Sequence, residues 1–184
     1  FLLSLIFAGC TQITLNQKKK EIYSVEEITQ LDLAYEAKKA CYSSFYSTLY
    51  VMDNQNQIHF YNKNEKITTF GGLGFSNQKF TFLSDIAISN DGNVLALDSY
   101  KKRISKIDRK GKMIAEILLN DIGQPTLFDV NSEDKAIIND SSRNEFVLYN
   151  LVTSNTEYTF GRFTTTNPTS IVCQKDMIII NDSK

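Results

Sequence analysis

The sequence predicts an all-β fold of repeated four-stranded antiparallel sheets, on three observations. Apolar residues come in short alternating runs without a helical period: Ile86 and Ile88, Val94 with Leu95 and Leu97, Ile104 and Ile107. Polar tight turns separate these runs, Asn90-Asp91-Gly92-Asn93 and Arg109-Lys110-Gly111-Lys112. The unit then recurs, so that Thr48 to Asp53 matches Asn93 to Asp98, Lys135 to Asp140 and Ile178 to Asp182. Its closing aspartates stand 45, 42 and 42 residues apart. A period of that size with four short strands per unit is that of a β-propeller, whose blades bury their faces against one another.

In chain order, Phe1 to Ala8 is an apolar run too short to span a bilayer, closing in Phe7-Ala8-Gly9-Cys10. This resembles the end of a bacterial lipoprotein signal peptide, with Phe7 in place of the usual leucine. The resemblance implies cleavage before Cys10 and lipid on its sulfur and amino group, leaving 1–9 as a truncated signal peptide. It also implies an extracytoplasmic, lipid-anchored place in the bacterial cell envelope, on the outer membrane or the outer leaflet of the cytoplasmic membrane. A buried first strand, or the tail of a transmembrane anchor, is the alternative. Residues 10–20 are polar, end in Lys18-Lys19-Lys20 and read as a tether. Residues 21–39 alternate from Ile28 to Leu33 and are expected to hold a strand, a candidate to close the ring.

Blades are expected at about 40–75, 76–120, 121–162 and 163–184, the last incomplete. Second alternating strands follow the aspartates at Gln57 to Tyr61, Arg103 to Ile107 and Asn144 to Tyr149. The only two prolines, Pro125 and Pro168, each precede a threonine just ahead of a blade's first strand, where no ladder hydrogen bond is lost. Because the chain opens on Phe1 and closes on Asn181-Asp182-Ser183-Lys184, which matches Leu97-Asp98-Ser99-Tyr100, both ends are expected to be cut.

The order Asp85-Ile-Ala-Ile, Asp91-Gly-Asn, Leu97-Asp98, Arg103-Ile and Asp108-Arg-Lys-Gly111 resembles the NHL repeat. The likeness is specific in the second blade. The first blade has Gln55-Asn56 in place of a glycine turn and lacks the arginine; the third has Arg143 but Ser132-Glu133-Asp134-Lys135 at its first turn. The resemblance implies six blades, of which about four are in this chain. The absence of tryptophan and the single histidine set the sequence apart from WD40 repeats.

Candidate chemistry is sparse. Asp53, Asp98, Asp140 and Asp182 would make a cation-holding ring of carboxylates, but an aspartate at a strand end in every blade reads better as an acceptor for turn N–H groups. His59 lies on a strand with no nucleophile or orienting acid placed near it by the sequence. The loop from Phe70 to Phe75 is glycine-rich, yet a strand follows it and not a helix N-terminus, so it reads as a connection between blades. Cys10, Cys41 and Cys173 make no zinc spacing, and Cys41 and Cys173 are expected as buried free thiols. Tyr46, Tyr50, Tyr61, Tyr149 and Tyr158 are expected to pack between blades or serve a binding surface. No cofactor, metal or catalytic residue is expected. A formal net charge of -1 leaves no basic excess for a phosphate backbone, so nucleic acid is excluded as a partner.

The function expected is a lipid-anchored envelope propeller that binds or scaffolds a protein or small ligand and touches the membrane through lipid on Cys10. A metal-dependent hydrolase or lyase of the six-bladed type, and an extracytoplasmic sensor domain of a larger receptor, are the alternatives.

Overall fold

The structure, a computed structural model, describes residues 31–174 and 177–183. Cys10, the tether and most of the 21–39 segment lie outside them. The remainder belongs to one compact unit, Asp32–Lys184.

Among the described residues every regular element is a strand. The first sheet is β1 (Ala37–Ser43), β2 (Thr48–Asp53), β3 (Gln57–Asn62) and β4 (Glu65–Gly71), antiparallel and in that order. The second is β5 (Leu83–Ile88), β6 (Val94–Asp98), β7 (Arg103–Ile107) and β8 (Met113–Leu118). The third is β9 (Pro125–Val130), β10 (Lys135–Asp140), β11 (Glu145–Asn150) and β12 (Asn155–Phe160), and a fourth begins with β13 (Pro168–Gln174) and β14 (Met177–Asp182). Consecutive sheets meet through their first strands: β1 packs on β5, β5 on β9, and β9 on β13.

Some boundaries differ from expectation. The first strand starts at Ala37, ahead of the boundary at 40, and Leu31 to Leu33 is not strand. Burial still alternates there, with Leu31, Leu33 and Tyr35 half-buried between exposed Asp32 and Ala34, and the Tyr35 hydroxyl lies 2.8 Å from that of Tyr61. Pro125 and Pro168 are the first residues of β9 and β13, where a missing N–H costs the ladder nothing. Gln55-Asn56 is the β2–β3 turn. It matches Ser99 to Lys102 and not the glycine turn before β6, since Asp98 closes β6 as Asp53 closes β2.

The near-continuous apolar strands follow from burial on both faces. Adjacent residues of a strand point to opposite sides. Val94 and Ala96 of β6 therefore join Tyr50, Met52, Ile58, Phe60, Phe80 and Ile86 between the first and second sheets. Leu95 and Leu97 join Ile104, Phe128, Ile138 and Tyr149 between the second and third. Ile137, Phe146, Leu148 and Ile171 fill the next interface. Each such side chain contributes about 1.5–3 kcal/mol on burial, so the sheets are held by what lies between them. Tyr50 and Tyr149 are buried in this way, Tyr61 is buried outside these clusters, Tyr46 is half-buried, and Tyr158 is exposed.

The turns keep one shape while changing sequence. Before β6, Gly92 takes φ +82° and donates to Ser89 O at 2.8 Å, while Ser89 N donates to Asn93 O at 2.9 Å. Before β10, Asp134 takes φ +56° and donates to Asn131 O at 3.3 Å, while Asn131 N donates to Lys135 O at 2.9 Å. Aspartate is among the residues that tolerate the left-handed region. This is how Ser132-Glu133-Asp134-Lys135 makes the same turn without glycine.

Candidate functional site

Each second strand ends on an aspartate, and the carboxylates act across the sheet. Asp98 accepts from Thr81 N (2.8 Å) and Phe82 N (3.2 Å), the residues that lead into β5, and from Lys101 N (3.1 Å) in its own turn. Asp140 accepts from Gly123 N (2.7 Å), Gln124 N (2.9 Å), Ser142 N (3.2 Å) and Ser142 Oγ (2.7 Å). Asp182 accepts from Thr166 N (2.9 Å) and Asn167 N (2.6 Å). Burial pushes the Asp140 carboxyl up, but these hydrogen bonds and the nearby Arg143 outweigh it and hold it below the usual carboxylate range. The residue before the aspartate is also engaged: Asn139 Nδ2 donates to Thr126 Oγ1 at 2.7 Å, and Asn181 Nδ2 to Thr169 Oγ1 at 2.9 Å. The Asn-Asp ending and the Pro-Thr start of the third and fourth sheets are thus two halves of one contact.

The first sheet departs from this pattern. Asp53 Oδ1 accepts from Gln55 N and Gln57 N, both at 2.8 Å, and Oδ2 lies 2.9 Å from His59 Nε2. His59 Nδ1 lies 3.1 Å from Thr69 Oγ1, and Tyr35 stacks on the imidazole at 3.8 Å between centroids. An orienting acid therefore does sit beside His59, which sequence spacing had not placed there. The ring is only 3% exposed, so this aspartate, histidine and threonine form a closed hydrogen-bonded cluster under a tyrosine lid.

At the first strands, two carboxylates reach from one sheet to the next. Asp85 is met by the Lys39 ammonium of β1, accepts from Ile86 N (2.8 Å) and takes Phe128 N of β9 at 2.9 Å. Asp129 of β9 accepts from Cys173 N of β13 at 2.7 Å. Burial pushes both carboxyls up, against the pull of Lys39 and of the N–H donors. Cys41 and Cys173 are free thiols, half-buried, and burial pushes each up to about 12.

The connection from β4 to β5 is an exposed surface loop. Lys101 Nζ donates to the carbonyls of Gly74 (3.2 Å), Ser76 (3.1 Å) and Lys79 (2.9 Å). Arg103 is 3% exposed; it pairs with Glu116 and donates through Nη2 to the carbonyls of Asn77 (3.0 Å) and Lys79 (2.8 Å). Arg143 is not its counterpart: Glu145 opens β11 opposite Asp140 as Arg103 opens β7 opposite Asp98. On this braced loop Leu73 is 74% and Phe75 88% exposed. Phe82 and Tyr100, with ring centroids 5.6 Å apart, continue the apolar surface. Sequence reasoning singled out neither these side chains nor Asp129; the run Tyr100-Lys101-Lys102-Arg103 beside a glycine-rich loop was the available signal.

No protein-family description matches the sequence, and no curated protein does. Solved structures do. Virginiamycin B lyase from Staphylococcus aureus matches with a TM-score of 0.61 at 13% identity, over 79% of this chain and 48% of that one. U3-55K matches with a TM-score of 0.62 at 11% identity, over 81% and 46%. The WD40 β-propeller domain of Doa1 matches with a TM-score of 0.57 at 14% identity, over 79% and 47%. The fold is a β-propeller. The chain spans about half the length of these structures, and its sheets are the propeller's blades. Among the described residues no group of three histidines, cysteines or carboxylates is placed to hold a metal ion, and no helix is long and apolar enough to cross a membrane.

Proposed function

We propose that this chain is part of a six-bladed, lipid-anchored propeller of the bacterial cell envelope that works as a binding or scaffold module for a protein or small ligand. The observation that carries the reading is the contrast between frame and surface. The carboxylates of Asp85, Asp98, Asp129, Asp140 and Asp182 are engaged by the blades' own donors, while the loop face presents Phe82 and Tyr100 to solvent. Exposed aromatic side chains on a rigid scaffold favour recognition. The lipid anchor rests on the Phe7-Ala8-Gly9-Cys10 motif, and six blades on the NHL-like order of the second blade.

Two measurements on the full-length protein test this. Wild type is expected to take up radioactive palmitate and Cys10→Ser to lose the label; no label on the wild type, or label kept by Cys10→Ser, would refute the anchor. Cross-linking in whole cells is expected to capture an envelope partner whose yield falls with Phe82→Ser and Tyr100→Ser together; capture indifferent to both would refute the binding surface.

A second reading, a propeller lyase or metal-dependent hydrolase, draws on the likeness to virginiamycin B lyase. It requires a reactive group open to substrate, and His59 is enclosed by Asp53, Thr69 and Tyr35.

A further inference from the structure

We propose that the loop of residues 72–82 is a membrane-contacting element that rests its apolar tip in the headgroup region of an anionic phospholipid bilayer. This deepens the envelope reading, on which it depends only for a bilayer being within reach. At the tip Leu73 and Phe75 stand largely in solvent, followed by the exposed uncharged residues Ser76, Asn77 and Gln78. A loop that shows apolar side chains to water needs an account, and here the backbone supplies one.

Part of the loop's backbone is engaged from within the protein. Its N–H groups are engaged at Gly72 (to Asn56 O), Gly74 (to Phe80 O), Lys79 (to Ser76 O), Phe80 (to Gly72 O), Thr81 and Phe82 (both to Asp98). Its carbonyls at Gly74, Ser76, Asn77 and Lys79 accept from Lys101 and Arg103, and Lys79 Nζ donates to Gly71 O. The engaged backbone braces the tip, and the N–H groups left at its end, those of Leu73 and of residues 75–78, can take water or lipid phosphate in the headgroup region. Residues 74–79 run through bends and a turn, so they offer no extended edge for a peptide strand to pair with.

Charge points the same way. Lys79 and Lys101 donate their ammonium groups to carbonyls of Gly71 and of the loop, Arg103 braces the loop while paired with Glu116, and Asp98 accepts from the N–H groups of Thr81 and Phe82, so three cations stand against two carboxylates. The base of the loop is therefore net positive, although the whole chain carries a formal charge of -1. Apolar side chains ahead of a basic base are the pattern of an interfacial anchor drawn to anionic lipid.

The test uses the full-length Cys10→Ser protein, which has no acyl chain, so a failure of the lipid anchor and a failure of this loop are read separately. It is floated with vesicles of phosphatidylcholine alone or with a share of phosphatidylglycerol. Flotation is expected with phosphatidylglycerol, reduced by high salt. Leu73→Ser with Phe75→Ser should weaken it about 100-fold, roughly tenfold per side chain withdrawn from the interface. Both positions are exposed, and an unchanged thermal melt checks that the fold is intact. Phe75→Trp adds a reporter, read as the difference from the parent protein, whose emission should shift to the blue on adding anionic vesicles.

Flotation unaffected by the double substitution, or no blue shift, overturns the proposal. So does self-association or capture of a protein partner that depends on Leu73 and Phe75 while vesicles are ignored.

Discussion

Replacing Asp140 by alanine tests whether the strand-end aspartates hold the propeller together. The side chain is fully buried, and alanine removes the acceptor for Gly123 N, Gln124 N, Ser142 N and Ser142 Oγ. A hydrogen bond to a charged group contributes about 1.5–3 kcal/mol. Ser142 sits at the surface and can turn to water, so the main loss is the pair of N–H groups leading into β9, giving about 3–6 kcal/mol. That is a large share of a domain stability of about 5–15 kcal/mol. Asp140→Asn keeps one acceptor oxygen and should lose about half as much. The assay is urea unfolding of the full-length protein, followed by far-ultraviolet circular dichroism. The folded-state carboxyl lies below its unfolded value, so its contribution is complete above about pH 4 and fades as pH falls through the folded value. Asp140→Asn should lack this acid limb. An alanine variant within about 1 kcal/mol of wild type, or an acid limb kept by the asparagine variant, would refute the reasoning.

Three further outcomes follow from the same geometry. Asp85 runs the other way: its folded value is raised by burial, so its contribution is greatest below about pH 4 and is lost as pH climbs through the folded value; Asp85→Asn should flatten that limb of the stability profile. Arg103→Met should cost about 2–4 kcal/mol by stranding the Asn77 carbonyl and Glu116 and leaving the Lys79 carbonyl to Lys101 alone, and should speed hydrogen exchange and proteolysis within 72–82 while leaving the third blade protected. In the Cys10→Ser protein, Cys41 and Cys173, both pushed up to about 12, should react slowly with a thiol reagent at neutral pH and fully after denaturation; fast native reaction would contradict their burial.

The blades were legible because a strand buried on both faces writes itself as a compact apolar run between turns. Val94 to Leu97 is the clearest case, each residue committed to one neighbouring blade or the other. Glycine turns were legible only where glycine stands. Asp134 makes the same left-handed turn as Gly92, and a search for glycine passes over it. Contacts formed across the chain were not legible. Asp53 meets His59 through the turn between their strands, which sequence spacing does not aim. Asp85 and Asp129 sit on different rungs, opposite Leu97 and Ile137, so no fixed period ties them together. The exposed tip at Leu73 and Phe75 was read only as a connection, since a glycine-rich loop announces its backbone freedom and not the cations that will brace it.

The link between blades has an evolutionary side. Where Asp85 takes the N–H of Phe128, and Asp129 that of Cys173, recognition is of main chain and ignores which residue the donating blade carries there. A clasp that reads only the peptide group leaves the neighbouring blade free to drift. Successive blades can then lose their shared wording, as the first and third have beside the second, while the seam between them stays closed.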